Sequence, residues 1–391
     1  MKLSHFIILI ILAVAMNSCY KDDNTSPEYL KKMESFGGDN LDFARKIVKT
    51  DEGNYLLLGE TESFGSGKTD VYLVKLDDQG NMLWENFYGG SDDEEAKDII
   101  THPNGYYYIA GSTNSYGSGG ADMMLIKVNS DGEQISLETF GNKFYDKAFF
   151  LTLSTDNNII LGGYVRDAET QVKNSNIRKL TTDGEEVWSE SFGGDSTYIA
   201  TNGVDTEDGL FITGRAVISD NNEDIFMLKM EMQGNRLWQK NYGDAGMEQA
   251  SDFVLTSNGN FVLCGFSGAH GDNSNNDLFL MELTKQGDSI SSTHFGDTNE
   301  WDYEEGYAII KNSRGGYYIS GRSKDAMMLA KATMNLEVTG VATYGSEFFS
   351  QTAIGYDLIE KNPQTIIVVG GHPNSTNSDM LYLEIDPEKM D

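Results

Sequence analysis

Short apolar runs alternate with clusters of Gly, Asn, Asp and Pro along almost the whole chain. Four such runs follow one another between Ala96 and Gly141, each a few residues long and rich in Tyr, Ile, Val or Phe. Runs of that length, bounded by turn residues, are typical of β-strands. The pattern predicts a four-stranded antiparallel unit, with tight turns at 103–105 and 131–132 and a longer polar loop between its second and third strands.

Two sequence markers indicate that this unit is repeated. A glycine of the second strand recurs at Gly59, Gly111, Gly163, Gly214, Gly265, Gly321 and Gly370. An aromatic residue that ends the fourth strand recurs at Phe36, Tyr88, Phe140, Phe192, Tyr242, Phe295 and Tyr344. Four-stranded repeats at a period of about 50 residues cannot bury their own faces, and they pack radially as a β-propeller. A solenoid would need atypical capping units at both ends.

The two ends of the repeat array complement each other. Phe36 ends a fourth strand that no earlier strand of its own unit precedes, whereas the last unit has three strands near 354–359, 365–369 and 380–385 and no fourth. We therefore expect residues 33–36 to complete the last unit. The predicted fold is all-β, a seven-bladed β-propeller with four antiparallel strands per blade, over residues 33–386, closed by its N-terminal strand and followed by a tail at 387–391.

The N-terminal segment predicts the cellular location of the protein. Residues 1–18 combine Lys2 with an apolar run over 6–15, which is typical of a secretory signal. Ser18 precedes Cys19, and this junction resembles a lipoprotein signal, which implies a lipidated Cys19 and a polar tether over 19–32. The following 21–23 segment, Lys-Asp-Asp, resembles the surface-export signal of Bacteroidota lipoproteins, which implies an outer-membrane protein exposed at the cell surface. The alternative is an ordinary signal peptide with an incidental cysteine.

Charge narrows the possible partners. The chain has 29 Lys and Arg residues against 61 Asp and Glu residues, a formal net charge of −32. This balance argues against binding to nucleic acid or directly to anionic lipid, so membrane contact is expected only through the N-terminal lipid. A self-repelling, soluble monomer is expected. Cys264 has no partner once Cys19 is acylated, and we expect it to be a small buried apolar residue.

Three segments carry a family resemblance. Residues 78–90 read Asp-Gln-Gly-Asn-Met-Leu-Trp and end in Tyr-Gly-Gly, and 183–194 and 234–238 are close variants. These segments resemble the repeat of bacterial secreted and lipoprotein β-propellers, of the type found in Bacteroidota. The resemblance covers about residues 33–386 and implies the fold, but it implies little about function. The Gly-His and Trp-Asp signature of WD40 repeats is absent.

A series of acids offers candidate metal ligands. They lie at the start of the first strand of a unit, which lines the central channel of a propeller: Asp42, Glu94, Asp146, Glu248 and Glu304. Carboxylates around one channel mouth would suit Ca²⁺, although the sequence makes no cofactor certain. The alternative is that each acid caps the backbone N–H groups of its own turn.

Aromatic residues in the loops between units offer a candidate ligand surface: Tyr145, Tyr198, Trp301, Tyr303 and Phe348. Exposed aromatic rings near acids and amides suit a glycan or a protein ligand. The alternative is packing over the channel or between blades. Trp84, Trp188 and Trp238 repeat in register, and for them we expect packing in the core or between blades.

No catalytic residue is predicted, because no Ser/His/Asp or metal-binding His spacing is present. His270 and His372 share the predicted ligand face without an evident nucleophile. We therefore expect a surface-anchored scaffold that binds a glycan or a protein on that face. One alternative is a propeller-type polysaccharide lyase or hydrolase, for which Arg215 and Arg322 would be available. The other is a structural protein of the envelope.

Overall fold

The computed structural model describes residues 27–220, 222–244, 246–268, 276–296, 303–345, 352–372 and 378–390. This part of the chain is all-β, and it contains no helix long and apolar enough to span a membrane. The strands are β1 (Leu30–Phe36), β2 (Asp42–Lys49), β3 (Tyr55–Thr61), β4 (Asp70–Leu76), β5 (Met82–Tyr88), β6 (Glu94–Thr101), β7 (Tyr107–Thr113), β8 (Asp122–Val128), β9 (Gln134–Phe140), β10 (Lys147–Leu153), β11 (Ile159–Arg166), β12 (Lys173–Leu180), β13 (Glu186–Phe192), β14 (Tyr198–Thr206), β15 (Gly209–Ser219), β16 (Asn222–Met230), β17 (Arg236–Tyr242), β18 (Met247–Leu255), β19 (Phe261–Gly268), β20 (Asn276–Leu283), β21 (Ser289–Phe295), β22 (Glu304–Lys311), β23 (Tyr317–Ser323), β24 (Ala326–Ala332), β25 (Val338–Tyr344), β26 (Ile354–Asn362), β27 (Thr365–Gly371) and β28 (Met380–Ile385).

These strands group into four-stranded antiparallel units in chain order. Units 1 to 6 are β2–β5, β6–β9, β10–β13, β14–β17, β18–β21 and β22–β25, and unit 7 is β26–β28. Units 4 and 5 also share one parallel pair, Glu223 with Met247. β1 pairs antiparallel with β28, with Ser35 opposite Leu381, and so supplies the fourth strand of unit 7.

Strand β1 is longer than the sequence pattern indicated. It begins at Leu30 rather than at residue 33, because Leu30 pairs with Ile385 and packs against the buried side chains of units 6 and 7. At the other end, Glu388 forms an ion pair with Arg314. Residues on both sides of the predicted 33–386 boundary therefore contact the folded units.

The hydrophobic core lies between consecutive units rather than inside one sheet. Tyr72 of β4 packs with Ile367 and Tyr382 of unit 7. The next residue, Leu73, points the other way and packs with Ile109 of unit 2. Because successive side chains of a strand point to opposite faces, one sheet contributes to the cores on both of its sides. Each fully buried Leu, Ile, Val or Phe contributes about 1.5–3 kcal/mol, so the units stabilise one another.

The recurring tryptophans connect units 1, 3 and 4 to the units that follow them. Trp188 of unit 3 donates from Nε1 to the carbonyl of Met232 in unit 4 at 3.0 Å, and its ring lies against Gly234 in the same turn. Trp84 and Trp238 lie against Gly132 and Gly287 in the same way. The prediction that these tryptophans pack between units is confirmed. The predicted burial of Cys264 is also confirmed.

Candidate functional site

A β-bulge occurs at the same place in the first strand of every unit. In β2 the register with β3 shifts between Ala44 and Lys46, which leaves Arg45 without a partner in the ladder. The same shift follows Ala96, Ala148, Ala200, Ala250, Gly306 and Gly355. A bulge changes the direction of the side chains around it. Here the bulge residue and the residue after it line a common cavity of about 120 Å³, to which all of these first strands contribute.

We call this cavity the channel. The residues that directly follow the bulges form one layer of it: Lys46, Asp98, Phe150, Asn202, Asp252, Ala308 and Asp357. The carboxylates of this layer accept hydrogen bonds across unit boundaries. Asp98 Oδ2 accepts from the backbone N–H of Leu151 at 2.7 Å, and Asp252 Oδ2 accepts from that of Ile309 at 2.9 Å. Lys46 Nζ lies 3.5 Å from Asp357 Oδ1.

Burial is the largest influence on the pKa values of the carboxylates in this layer. It raises the pKa of Asp98 to about 6 and that of Asp252 to about 6, even though the charge of Lys46 acts in the opposite direction. Burial lowers the pKa of Lys46, but the carboxylates of Asp357, Asp98 and Asp252 outweigh it and raise that pKa overall. Lys46, whose side chain is 30% exposed, is therefore a half-buried cation shared among carboxylates that are already hydrogen-bonded, and this layer is a structural centre rather than an open ligand site.

The bulge residues and their neighbours form the channel mouth, next to the loops between units. On the side of units 6, 7 and 1, the Arg45 guanidinium lies 4.4 Å from the centre of the Phe43 ring and 4.5 Å from that of Tyr356. Glu305 accepts two hydrogen bonds from Arg322, at 2.9 and 3.0 Å, and a third from the Tyr307 hydroxyl. These aromatic and charged groups are held in fixed orientations by one another.

Four cations lie on the side of units 3 and 4, and we call them the basic cluster: Lys147, Arg166, Lys173 and Arg215. The strand register places Lys147 opposite Tyr164 and Arg166 opposite Lys173, so Lys147, Arg166 and Lys173 share one face of unit 3 with Tyr164. Arg215 lies on β15 of unit 4. Lys173 Nζ lies 4.8 Å from the centre of the Tyr164 ring. Burial lowers the pKa of Lys173, and the positive charges of Arg215, Arg166 and Lys147 lower it further.

The three predicted aromatic residues that the structure describes lie in three different environments. Tyr145 is 55% exposed. Tyr198 packs against Phe226 at 5.4 Å and Phe192 at 6.3 Å between ring centres, so its ring belongs to the core between units 3 and 4. Tyr303 lies under the Arg322 guanidinium, 4.9 Å from its ring centre, and so joins the channel mouth. Trp301, Phe348, His270 and Cys19 lie outside the described residues.

The predicted metal-binding acids act as caps. Asp42 Oδ2 accepts from the backbone N–H of Gly38 at 2.7 Å, and Glu94 Oε2 accepts from that of Gly90 at 2.9 Å. Asp146 accepts from the backbone N–H groups of Asn142 and Arg166, at 2.5 and 2.7 Å. Glu248 accepts from Ser267 Oγ at 3.3 Å, and Glu304 accepts from Ser323 Oγ at 2.9 Å. Each acid thus bonds groups of its own inter-unit turn or of the adjacent second strand.

Some of these acids also pair with the acid that begins a third strand. Asp70 Oδ1 and Glu94 Oε2 both lie against Gly89, in the space that a Cβ would fill, and Asp122 and Asp146 flank Gly141 in the same way. Burial raises the pKa of Asp70, and the charge of Glu94 raises it further. Within the described ranges, no group of three or more His, Cys, Asp or Glu residues is placed to hold a metal ion. The Ca²⁺ site at Asp42, Glu94, Asp146, Glu248 and Glu304 stays a prediction.

A larger groove, of about 500 Å³, lies at the outer edge between β13 and β16–β17. Its charged side chains are Glu190 and Arg236, and much of its wall is the backbone of Gly193, Gly194 and Gly234. Because this groove gathers few functional groups, the channel mouth is the better candidate site.

The sequence markers contained a signal for the channel mouth. Two residues that directly follow a recurring second-strand glycine take part in it: Arg215 belongs to the basic cluster, and Arg322 bonds Glu305. The bulge itself has no such signal, because the small residue before it also occurs at many non-bulged positions. The basic cluster was therefore missed, although Arg215 and Arg322 were noted separately.

Comparison with solved structures identifies the class of fold. The chain is similar to polysaccharide lyase Uly1 at 10% identity (TM-score 0.56, covering 92% of this chain and 99% of that one). It is similar to the WD40 domain of Pan2 from Neurospora crassa at 11% identity (TM-score 0.55, 88% and 89%). It also resembles the β-propeller domain of the trilobed protease from Pyrococcus furiosus, which has an open velcro topology, at 10% identity (TM-score 0.51, 89% and 96%). The fold is a β-propeller. No protein-family profile and no curated protein matches the chain.

Proposed function

We propose that this β-propeller is a binding scaffold whose ligand, a glycan or a protein, occupies the channel mouth. The observation that supports this most directly is the convergence of aromatic and cationic side chains there: Arg45, Tyr307, Tyr356 and Arg322 on one side, and the basic cluster with Tyr164 on the other. Groups that are already held by ion pairs and stacking lose little conformational entropy when a ligand binds. Concave sites with a few fixed polar groups and aromatic faces are the usual ligand sites of proteins.

The proposal includes a closed ring of seven blades, each blade being one unit. Three observations support closure. Strand β2 of unit 1 contacts both β6 of unit 2 and β26 of unit 7. One cavity is lined by the first strands of all the units. β1 is paired with β28. A variant that lacks residues 1–36 would expose the edge of β28, and we expect it to associate or aggregate in sedimentation experiments. A stable monomer would count against closure.

Ligand binding is tested by titrating the full chain with a panel of neutral and charged polysaccharides. Tyr307→Ala is the test variant, and Tyr106→Ala, at a turn on the opposite end of the blades, is the matched aromatic control. We expect the first change to weaken binding at least tenfold and the second to leave it unchanged. Binding that survives Tyr307→Ala would place the ligand elsewhere. If no polysaccharide binds, a protein ligand and the structural-protein alternative are left.

A polysaccharide lyase is the second candidate, because a lyase is among the proteins of similar fold. The tyrosines of the channel mouth argue against it. Burial, followed by the charge of Glu305, raises the pKa of Tyr307, and burial also raises the pKa of Tyr164 and of Tyr356. A general base needs a pKa near the working pH, so these shifts go in the wrong direction. Unsaturated products in the same incubations would support the lyase.

We further propose that Cys19 carries a lipid that anchors the propeller to the outer membrane, facing outward. The support is the signal-like segment 1–18 and the acidic 21–23 segment. Metabolic labelling with palmitate should be lost in Cys19→Ser and kept in Cys264→Ser, which changes the other cysteine. Protease treatment of intact cells should then degrade the protein. Label that persists in Cys19→Ser would refute the anchor, and protection from protease would place the protein on the inner face.

A further inference from the structure

The basic cluster contains cations that the protein itself does not neutralise. Lys147 forms an ion pair with Glu95, and Arg215 forms one with Glu223 at 2.9 Å. Arg166 and Lys173 form no ion pair with any residue in the described part of the chain. The Nε atom of Arg166 is buried and has no hydrogen-bond partner there. In a chain with a net charge of −32, two adjacent unneutralised cations at a channel mouth are unusual.

The nearby carboxylates are already engaged. Glu95 binds both Lys97, at 3.1 Å, and Lys147, and the Gln249 amide donates to Glu223 at 2.6 Å. Asp146 is fully buried and accepts backbone N–H groups. Among the described residues, the cluster therefore has more positive than negative charge, even though Glu223 partly offsets it at Lys173, and an anionic ligand would balance the excess. The lowered pKa of Lys173 has the same origin, because burial and neighbouring positive charges both disfavour its ammonium form.

We propose, on the basis of the proposed function above, that the ligand of the channel mouth is an acidic polysaccharide whose anionic groups bind Arg166 and Lys173. A guanidinium and an ammonium on one face recognise carboxylate and sulfate oxygens through charge-assisted hydrogen bonds. Tyr145, in the loop before β10, is 55% exposed and offers a stacking face for a sugar ring.

The overall negative charge restricts how such a ligand is recognised. At physiological ionic strength, charges are screened over about 8 Å, so the surface acids repel a polyanion mainly where it approaches them closely. A polysaccharide with spaced anionic groups can place one of them on the basic cluster and a neutral stretch elsewhere. A nucleic acid has a charge at every phosphate, and the surrounding acids disfavour it.

The experiment uses the full chain and isothermal titration at physiological salt. The probes are polygalacturonate, which carries carboxylates, dextran sulfate, which carries sulfate esters, neutral dextran, and a single-stranded DNA oligonucleotide. We expect at least one acidic polysaccharide to bind at least tenfold more tightly than neutral dextran and the oligonucleotide. Binding of polygalacturonate identifies carboxylate as the recognised group, and binding of dextran sulfate alone identifies sulfate.

Two variants test the residues. Arg166→Gln and Lys173→Gln should each weaken the binding about tenfold. Lys229→Gln is the matched control, because Lys229 Nζ also lies over an aromatic ring, 5.0 Å from the centre of Phe211, outside the basic cluster. It should leave the affinity unchanged. Circular dichroism melts of all three variants establish that they are folded.

Several results would overturn the inference. One is equal binding of neutral and acidic polysaccharides, another is DNA binding of the same affinity, and a third is an affinity that Arg166→Gln and Lys173→Gln leave unchanged. A neutral glycan that binds and is lost in Tyr307→Ala would refute this inference and keep the proposed function. If none of the probes binds, this inference fails and the glycan form of the proposed function fails with it, whereas a protein ligand at the channel mouth is left.

Discussion

Asp357 Oδ2 accepts a hydrogen bond of 2.9 Å from the backbone N–H of Ile47, which lies 310 positions earlier in the chain. This bond joins the first strand of unit 7 to the first strand of unit 1 inside the channel. Asp98 with Leu151, and Asp252 with Ile309, form the same bond between other units. In each case a carboxylate that follows one bulge satisfies a buried N–H of the next unit, as buried backbone donors require.

Asp357→Ala should strongly destabilise the protein. The change leaves the Ile47 N–H without its acceptor and removes the carboxylate that pairs with Lys46. Breaking a fully buried ion pair from one side costs about 3–5 kcal/mol of unfolding free energy, and because the Lys46 side chain is 30% exposed, the loss expected here is near the lower end of that range. Urea denaturation followed by tryptophan fluorescence measures it. Asp131→Ala, at an exposed turn, is the control and should change the unfolding free energy by less than about 0.5 kcal/mol. Equal effects of the two changes would contradict a structural role for the channel carboxylates.

The buried Asp98 should give the protein a specific pH dependence. Its pKa is raised from 3.8 to about 6, so between these values the folded state binds a proton that the unfolded state has lost. The contribution of this group to stability is therefore favourable at low pH, falls as the pH rises through about 6, and stays unfavourable above that. The shift corresponds to roughly 2–3 kcal/mol.

The pair of wild type and Asp98→Asn isolates that contribution, because all other titrating groups are common to both. We expect the wild type to lose stability relative to the variant as the pH rises from 4 to 7, and the difference to level off above pH 7. Urea midpoints at a series of pH values provide the measurement. A difference that does not change with pH would mean that Asp98 titrates normally.

Gly89→Ala should destabilise the junction between units 1 and 2. A Cβ at this position would overlap Asp70 Oδ1 and Glu94 Oε2. Overpacking of this kind costs about 1–3 kcal/mol. The double variant Gly89→Ala/Asp70→Ala removes one of the two overlapping groups, so its cost should be smaller than the sum of the two single costs. Additive costs in thermal or urea unfolding would show that the carboxylate does not determine the need for glycine.

Trp188→Phe and Trp188→Ala separate the two functions of the recurring tryptophan. The phenylalanine variant keeps most of the ring and loses the bond to the Met232 carbonyl, so about 1 kcal/mol of stability should be lost. The alanine variant also loses the packing on Gly234, and about 3 kcal/mol is expected. Val187→Ala, at a neighbour that is 52% exposed, is the control and should be nearly neutral. If both Trp188 variants match this control, the contact does not stabilise the interface.

Much of the strand pattern could be predicted from local sequence. The third strand of the last unit lies at Met380–Ile385, as predicted, and the second at Thr365–Gly371 extends the predicted 365–369 by two residues. These strands are short apolar runs between turn residues, and both features are visible without tertiary contacts. The earlier start of β1 at Leu30 was missed because the pairing of Leu30 with Ile385 joins opposite ends of the chain.

The candidate site was less predictable. Tyr198 was placed on the ligand face by its loop position, yet its ring packs against Phe226 of the same unit. Asp42 was predicted to be a metal ligand at the channel mouth, and its bonds to Gly38 and Ser63 make it a cap. In both cases the neighbours that contact the side chain determine what it does, and those neighbours are not visible in the local sequence.

The sequence by itself determined the repeating four-stranded unit, the turns that punctuate it and the tryptophans that mark its boundaries, because strand period and turn chemistry are properties of adjacent residues. Only the tertiary structure decided that Lys46 meets Asp357, that Arg166 and Lys173 lie side by side, and that the acids of the first strands cap turns. Those contacts join residues of different strands and units, and a bulge of one residue in each first strand sets which side chains enter the channel.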